Sequence, residues 1–112
     1  MRGPVLDLRH LQMIRTIIQT GRVTDAAEEL GLTPSALSHR IKEAERRLGV
    51  PLFERLHKRL RATPSSILLA EVGERIIKEL ELAEADVHRV HIGVDHIIRI
   101  AVEDLSAKRN VQ

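Results

Sequence analysis

Val23-Thr24-Asp25-Ala26-Ala27-Glu28-Glu29-Leu30-Gly31-Leu32-Thr33-Pro34-Ser35-Ala36-Leu37-Ser38-His39-Arg40-Ile41 is the run of residues on which the fold turns. Two short helical segments meet in it at Gly31-Leu32-Thr33. The first, Val23 to Leu30, has Thr24 or Arg22 near its start, acidic residues early and Gly31 as its stop. The second restarts at once. Thr33 reads as an N-cap and Pro34 as the first helical residue, where the missing N–H is no loss and the fixed φ already suits a helix. Its apolar stripe is Leu37, Ile41, Ala44 and Leu48, and Gly49 ends it. Small Ala27 stands where the two helices must approach closely. The pattern predicts a helix-turn-helix, although a plain helical hairpin would share it.

The outer face of the second helix narrows the choice. At about 100° per residue, the side opposite the apolar stripe holds Ser35, His39, Lys42 and Arg46. Ser38 and Pro34 lie on one flank, Arg40 and Arg47 on the other. None of these is acidic, whereas a merely solvated face mixes signs. Hydrogen-bonding groups near the N-terminus and cations further along suit base edges first and phosphates beyond. Charge agrees: Thr33 to Ala62 holds 8 basic residues against 3 acidic, while residues 65–112 carry 6 against 9. A polyanion would dock on the basic stretch.

Upstream, Leu8, Leu11, Ile14, Ile17 and Ile18 recur at helical spacing before Gly21. Downstream, Leu52 to Leu56 and Leu60 to Thr63 read as a small hairpin with His57-Lys58-Arg59 at its tip. Two strands alone are marginal, so this hairpin must lean on the helices. Beside a helix-turn-helix it is a wing whose cations, Lys58 and Arg59 included, can reach a phosphate or a narrow minor groove; a solvated basic loop is the alternative. Thr63-Pro64 then opens a long proline-free helix to about residue 92, on the order of 40 Å at 1.5 Å per residue. Ile76, Leu80, Ala83, Val87, Val90 and Val94 follow the 4,3,4,3,4 spacing of a coiled-coil seam. The upstream core is too small to cover that seam, so a second copy of the chain is expected on it, with part of the helix packing back onto the first helix. Ile97 to Val102 looks strand-like but has no partner strand, a liability unless it pairs between subunits or continues as helix.

Composition removes other functions. The 112 residues allow one core, and 43% apolar content can fill it without staples. Zero cysteines exclude disulfides, thiolate zinc sites and thiol catalysis. Phe53 is the only aromatic residue, which argues against a binder of single strands, since such proteins stack bases on aromatic rings. The start has no apolar leader core and no run is long enough to span a bilayer, so a soluble cytoplasmic protein is expected, with no membrane partner. Ser35, Ser38 and His39 share one short helix without a separate base and orienting acid, so no enzyme is expected. His88, His91 and His96 lack a carboxylate at ligand spacing and read as solvent-facing; neither metal nor cofactor is expected.

Leu8 to Pro64 resembles the N-terminal winged helix-turn-helix of LysR-type transcriptional regulators, and the likeness extends along the linker helix to about Val90. It rests on Ala26-Ala27-Glu28-Glu29-Leu30, Ser35-Ala36-Leu37-Ser38, Glu45, Leu48-Gly49, and Leu52-Phe53-Glu54-Arg55 followed by Thr63-Pro64. Ser35-Ala36-Leu37-Ser38-His39 and Ile98-Arg99-Ile100-Ala101-Val102-Glu103 are most similar to the methionine-regulator branch. The resemblance implies a mostly α fold: a winged helix-turn-helix over 1–63 with a small two-stranded wing, a long dimerisation helix over 64–94, and a tail over 95–112 like the start of an effector domain. It further implies a dimeric regulator that binds an AT-rich interrupted palindrome in double-stranded DNA. Thr33, Pro34, Ser35 and His39 would sit at the major groove, Ser38 at a phosphate and Arg55 in the minor groove. The dimer seam would be Ile76, Leu80, Ala83, Val87 and Val90. Pro34 stands where the family often has a base-reading glutamine, Ile14 and Val23 replace phenylalanines, and Ser66 replaces a glycine. With about 20 residues after the linker helix, too few to enclose a metabolite pocket of several hundred cubic ångströms, DNA binding without an effector response is expected. The rival expectation is an interaction protein: a short form that pairs with a full-length relative and inhibits it as a heterodimer.

Overall fold

The computed structural model describes residues 3–110. Element order is α1 (Leu8–Thr20), α2 (Val23–Glu29), α3 (Pro34–Leu48), β1 (Phe53–Leu56), β2 (Arg59–Ala62) and α4 (Pro64–Asn110). This is the mostly helical fold with a two-stranded wing and a long last helix. The chain divides into two compact units between Ile77 and Lys78.

In the first unit the helix ends follow their sequence signals. Asp7 caps α1 by accepting the N–H groups of Arg9 (2.9 Å) and His10 (3.2 Å), and its own N–H donates to His10 Nδ1 (3.0 Å). Because Nδ1 is the acceptor there, its 3.3 Å approach to Asp7 Oδ1 is a by-product of the reciprocal cap rather than an ion pair. The backbone N–H of His10 holds the Asp7 carboxyl below its ordinary value. Gly21 and Gly49 close α1 and α3 at φ of 71° and 75°, where a side chain would strain the backbone. Thr33 caps α3 through Ala36 N–H (3.1 Å), with Pro34 at the first helical position as expected.

The core joins Met13, Ile14 and Ile17 of α1, Val23, Ala26 and Ala27 of α2, Leu37, Ile41 and Ala44 of α3, and Leu52 and Phe53 of the wing. Ala27 is buried and lets α2 meet α3 closely. Two expectations for α1 need correction: Ile18 is exposed and Met13 is buried. Helical spacing admits both, and Met13 lies on the side that meets Leu30 and Leu32 at the turn between α2 and α3. Gly73 of α4 lies against Leu11, and a Cβ built on it would come 3.1 Å from Leu11 Cβ. Gly73, three residues before the first seam position Ile76, is therefore where α4 approaches α1.

The wing is one residue tighter than its sequence suggests. Strands β1 and β2 pair antiparallel, Phe53 with Ala62 through Leu56 with Arg59, so His57-Lys58 alone make the turn and Arg59 belongs to β2 rather than to the tip. His57 takes a positive φ of 57°. The hairpin is not left alone. Arg22 bridges Arg59, Leu60 N–H donates to Gly21 O (3.1 Å) and Val23 N–H to Lys58 O (3.3 Å), so the start of α2 serves as a third edge.

Helix α4 overruns two expectations. It continues past residue 92 to Asn110, and Ile97 to Val102 is helical rather than strand-like. Outside the wing no strand among the described residues is available to pair with it, and a helix satisfies its backbone groups internally. In the second unit Leu80, Val87, Val90, Val94, Ile97 and Ile98 are all exposed. Ion pairs there join Arg89 to Asp86 (2.7 Å) and Arg99 to Asp95 (3.4 Å), both in solvent. No helix of the described residues is long and apolar enough to cross a membrane.

Candidate nucleic-acid interface

Leu37, Ile41 and Ala44 point α3 into the core, and this leaves its opposite face in solvent. Pro34, Ser35, Ser38, His39 and Lys42 stand on that face. Together with Arg55 from β1 they line one shallow concavity of about 460 Å³. Helix and wing thus bring six of the ten expected contact residues to a single place. Thr33 lies beside them as the cap, its Oγ1 3.3 Å from Ser35 Oγ. Arg46 is exposed further along α3, and Lys58 and Arg59 are exposed on the wing, outside the concavity.

Arg55 is fixed in a way the sequence does not announce: its Nη2 donates to Ser38 Oγ at 3.2 Å, linking wing to helix across the face. A second link lies behind it. Glu45 Oε2 accepts Leu52 N–H (2.7 Å) and Phe53 N–H (3.4 Å), which ties the start of the wing to α3. The sequence marks Glu45 only as part of the family resemblance and assigns it no contact; its partners Leu52 and Phe53 lie seven and eight positions further along the chain. Arg22, absent from the expected contacts, is exposed and bridged to Arg59, so it adds a cation beside the wing. Arg47 instead turns away, bonded to Glu43 (2.6 Å) and to Val5 O (3.4 Å).

His88, His91 and His96 are exposed, and no three side chains of His, Asp or Glu among the described residues form a metal-holding group.

Residues 8–66, which contain the whole helix-turn-helix and the wing, match the bacterial regulatory helix-turn-helix proteins of the lysR family. The chain belongs to that family. As a LysR-family chain it carries the family's helix-turn-helix module. It is 40% identical over 103 residues to the transcriptional regulator MetR of Haemophilus influenzae, covering 92% of this chain and 33% of MetR. With CbbR of Xanthobacter flavus it shares 37% over 82 residues, 73% of this chain and 25% of CbbR. It therefore spans a third or less of these relatives. The DNA-binding domain of CbnR, solved in complex with DNA, superposes with a TM-score of 0.66 at 26% identity over 76% of this chain and 97% of that one. The BenM DNA-binding domain on a catB site has the same fold, with a TM-score of 0.72 at 24% identity over 79% of this LysR-family chain and 95% of its own.

Proposed function

We propose that the chain binds duplex DNA sequence-specifically, as a homodimer, and regulates transcription in the cytoplasm. The observation that carries this reading is the convergence of α3 and wing: Pro34, Ser35, Ser38, His39, Lys42 and Arg55 surround one exposed concavity on a basic surface. The solved DNA complex of the CbnR domain, which shares this fold, supports it. In this reading Thr33, Ser35 and His39 face base edges in the major groove. Pro34 packs there without donating a hydrogen bond. Ser38, Lys42 and Arg46 meet phosphates, and Arg55, Lys58 and Arg59 serve the minor groove and its rims. The target is an AT-rich interrupted palindrome, and the likeness to MetR supports a place in that branch.

Dimerisation runs through Ile76, Leu80, Ala83, Val87 and Val90, of which Ile76, Leu80, Val87 and Val90 are large apolar side chains left exposed. The same exposed positions suit pairing with a longer relative, so the stoichiometry on a two-half-site duplex separates a homodimer from a mixed one. If a dimer neutralises about 6 phosphates, affinity falls with salt at a log-log slope near −5. His39→Ala is expected to lose discrimination by about 1–3 kcal/mol, whereas Lys42→Ala weakens all sequences alike and flattens the salt slope. Gel shifts at moderate salt that find no palindromic duplex preferred over random DNA overturn the proposal.

A further inference from the structure

Among the described residues, one side-chain bond crosses the candidate interface, and it joins Arg55 of the wing to Ser38 of α3, Nη2 to Oγ at 3.2 Å. Both residues line the same concavity, so the bond lies on the surface a duplex would cover. Arg55 needs such a partner. It sits in a four-residue strand, beyond the point where Glu45 anchors Leu52 and Phe53, and its cross-strand neighbour Leu60 offers it no acceptor. A guanidinium on a long exposed side chain loses considerable rotamer freedom when it is held for a contact. Ser38 supplies the acceptor at a fixed site, because Leu37 next to it is fully buried and locks that turn of α3. A serine hydroxyl accepts from Arg55 and still has a proton to donate to a phosphate oxygen.

We propose that Ser38 is a positioning residue for Arg55: its hydroxyl holds the wing guanidinium in the orientation from which it reads the duplex, so that removing the hydroxyl changes sequence preference and not only overall affinity. This rests on the duplex-binding reading above. A serine that only touches a phosphate would act on every sequence equally, whereas a serine that orients Arg55 must act where Arg55 acts.

The test uses the full chain and two probes: the 30-base-pair duplex it enriches from a random pool, and the same duplex with the A·T pairs flanking each half-site replaced by G·C. The readout is the ratio of the two affinities, measured by fluorescence anisotropy at one salt concentration, with thermal melting to confirm that each variant folds. Arg55→Ala collapses the ratio. Ser38→Ala lowers it by roughly two- to ten-fold, the range of one hydrogen bond, while Ser38→Thr, which keeps the hydroxyl, preserves it. In the Arg55→Ala background Ser38→Ala lowers the ratio no further. The proposal is overturned if Ser38→Ala weakens both duplexes equally, with the ratio unchanged, or if its effect on the ratio persists in full without Arg55. Failure of the underlying reading looks different: the unmodified chain enriches no duplex, and both ideas fall together.

Discussion

At the scale of single residues, the two departures from comfortable chemistry lie away from the interface. Ser66 is fully buried at the start of α4 and its Oγ has no hydrogen-bond partner. A buried hydroxyl left unpaired costs about 1–3 kcal/mol in desolvation. Ser66→Ala is therefore expected to raise stability by about 1 kcal/mol, read as a higher urea midpoint at unchanged slope, with DNA affinity unaffected; a drop in stability shows that the hydroxyl has a partner in solution. Asp7 works in the opposite sense. Its lowered carboxyl value, caused first by the His10 backbone N–H, means that the cap stabilises α1 fully above the ordinary carboxylate value and is lost as pH falls through the lowered one. The melting temperatures of the unmodified chain and Asp7→Ala are expected to differ at neutral pH and to converge in acid below the usual Asp range. A gap that stays constant with pH rules out the carboxylate as its source. Neither residue was read as a stability feature from sequence: the burial of Ser66 depends on the fold around it, whereas Asp7, directly before Leu8, is a local capping signal that the helical spacing of the apolar residues passes over.

Elements were more legible, and unequally so. The caps Thr33-Pro34, Gly21 and Gly49 and the stripe Leu37, Ile41, Ala44 placed α1 and α3 because each signal is local: a glycine at positive φ or a proline at a first turn acts within one turn of itself. The wing was located but its register was not, since hairpin register is set by the turn. Here the turn is His57-Lys58, with a non-glycine residue at positive φ. That geometry carries its own prediction. A β-branched residue tolerates positive φ poorly and costs about 1–3 kcal/mol there, so His57→Val is expected to destabilise the chain, while His57→Gly leaves it unchanged or more stable. Equal unfolding midpoints for the valine and glycine variants rule out the left-handed turn. The candidate site followed the same division. The face of α3 could be read off a helical wheel, but the Arg55–Ser38 and Glu45–Leu52 links could not, because they join residues 17 and 7 positions apart through the fold. The strand-like run Ile97 to Val102 misled for the complementary reason: β-branched composition states a preference, and the absence of a pairing edge among the described residues overrode it.

For the molecule as a whole, the open question of energy is the apolar surface of the second unit. Leu80, Val87 and Val90 are 43%, 68% and 65% exposed, at the spacing of a helix seam, and isolated exposed apolar stripes of this kind are sites of association. Pairing two chains along it would carry two copies of the basic α3 face onto one duplex, and a tethered second contact raises avidity by about 10²–10⁴ without any new bond to DNA. Leu80→Arg places a guanidinium in that seam, and a buried unpaired charge costs about 3–5 kcal/mol. The expected result is a monomer by sedimentation at micromolar concentration, with the thermal transition of the first unit retained, since its core residues Ile14, Ile17, Leu37 and Leu52 lie elsewhere. Affinity for a single half-site should hold while affinity for the full palindrome falls to the same level, because only the tether has been cut. A Leu80→Arg chain that still sediments as a dimer and still favours the two-half-site duplex puts the association surface somewhere other than this face of α4.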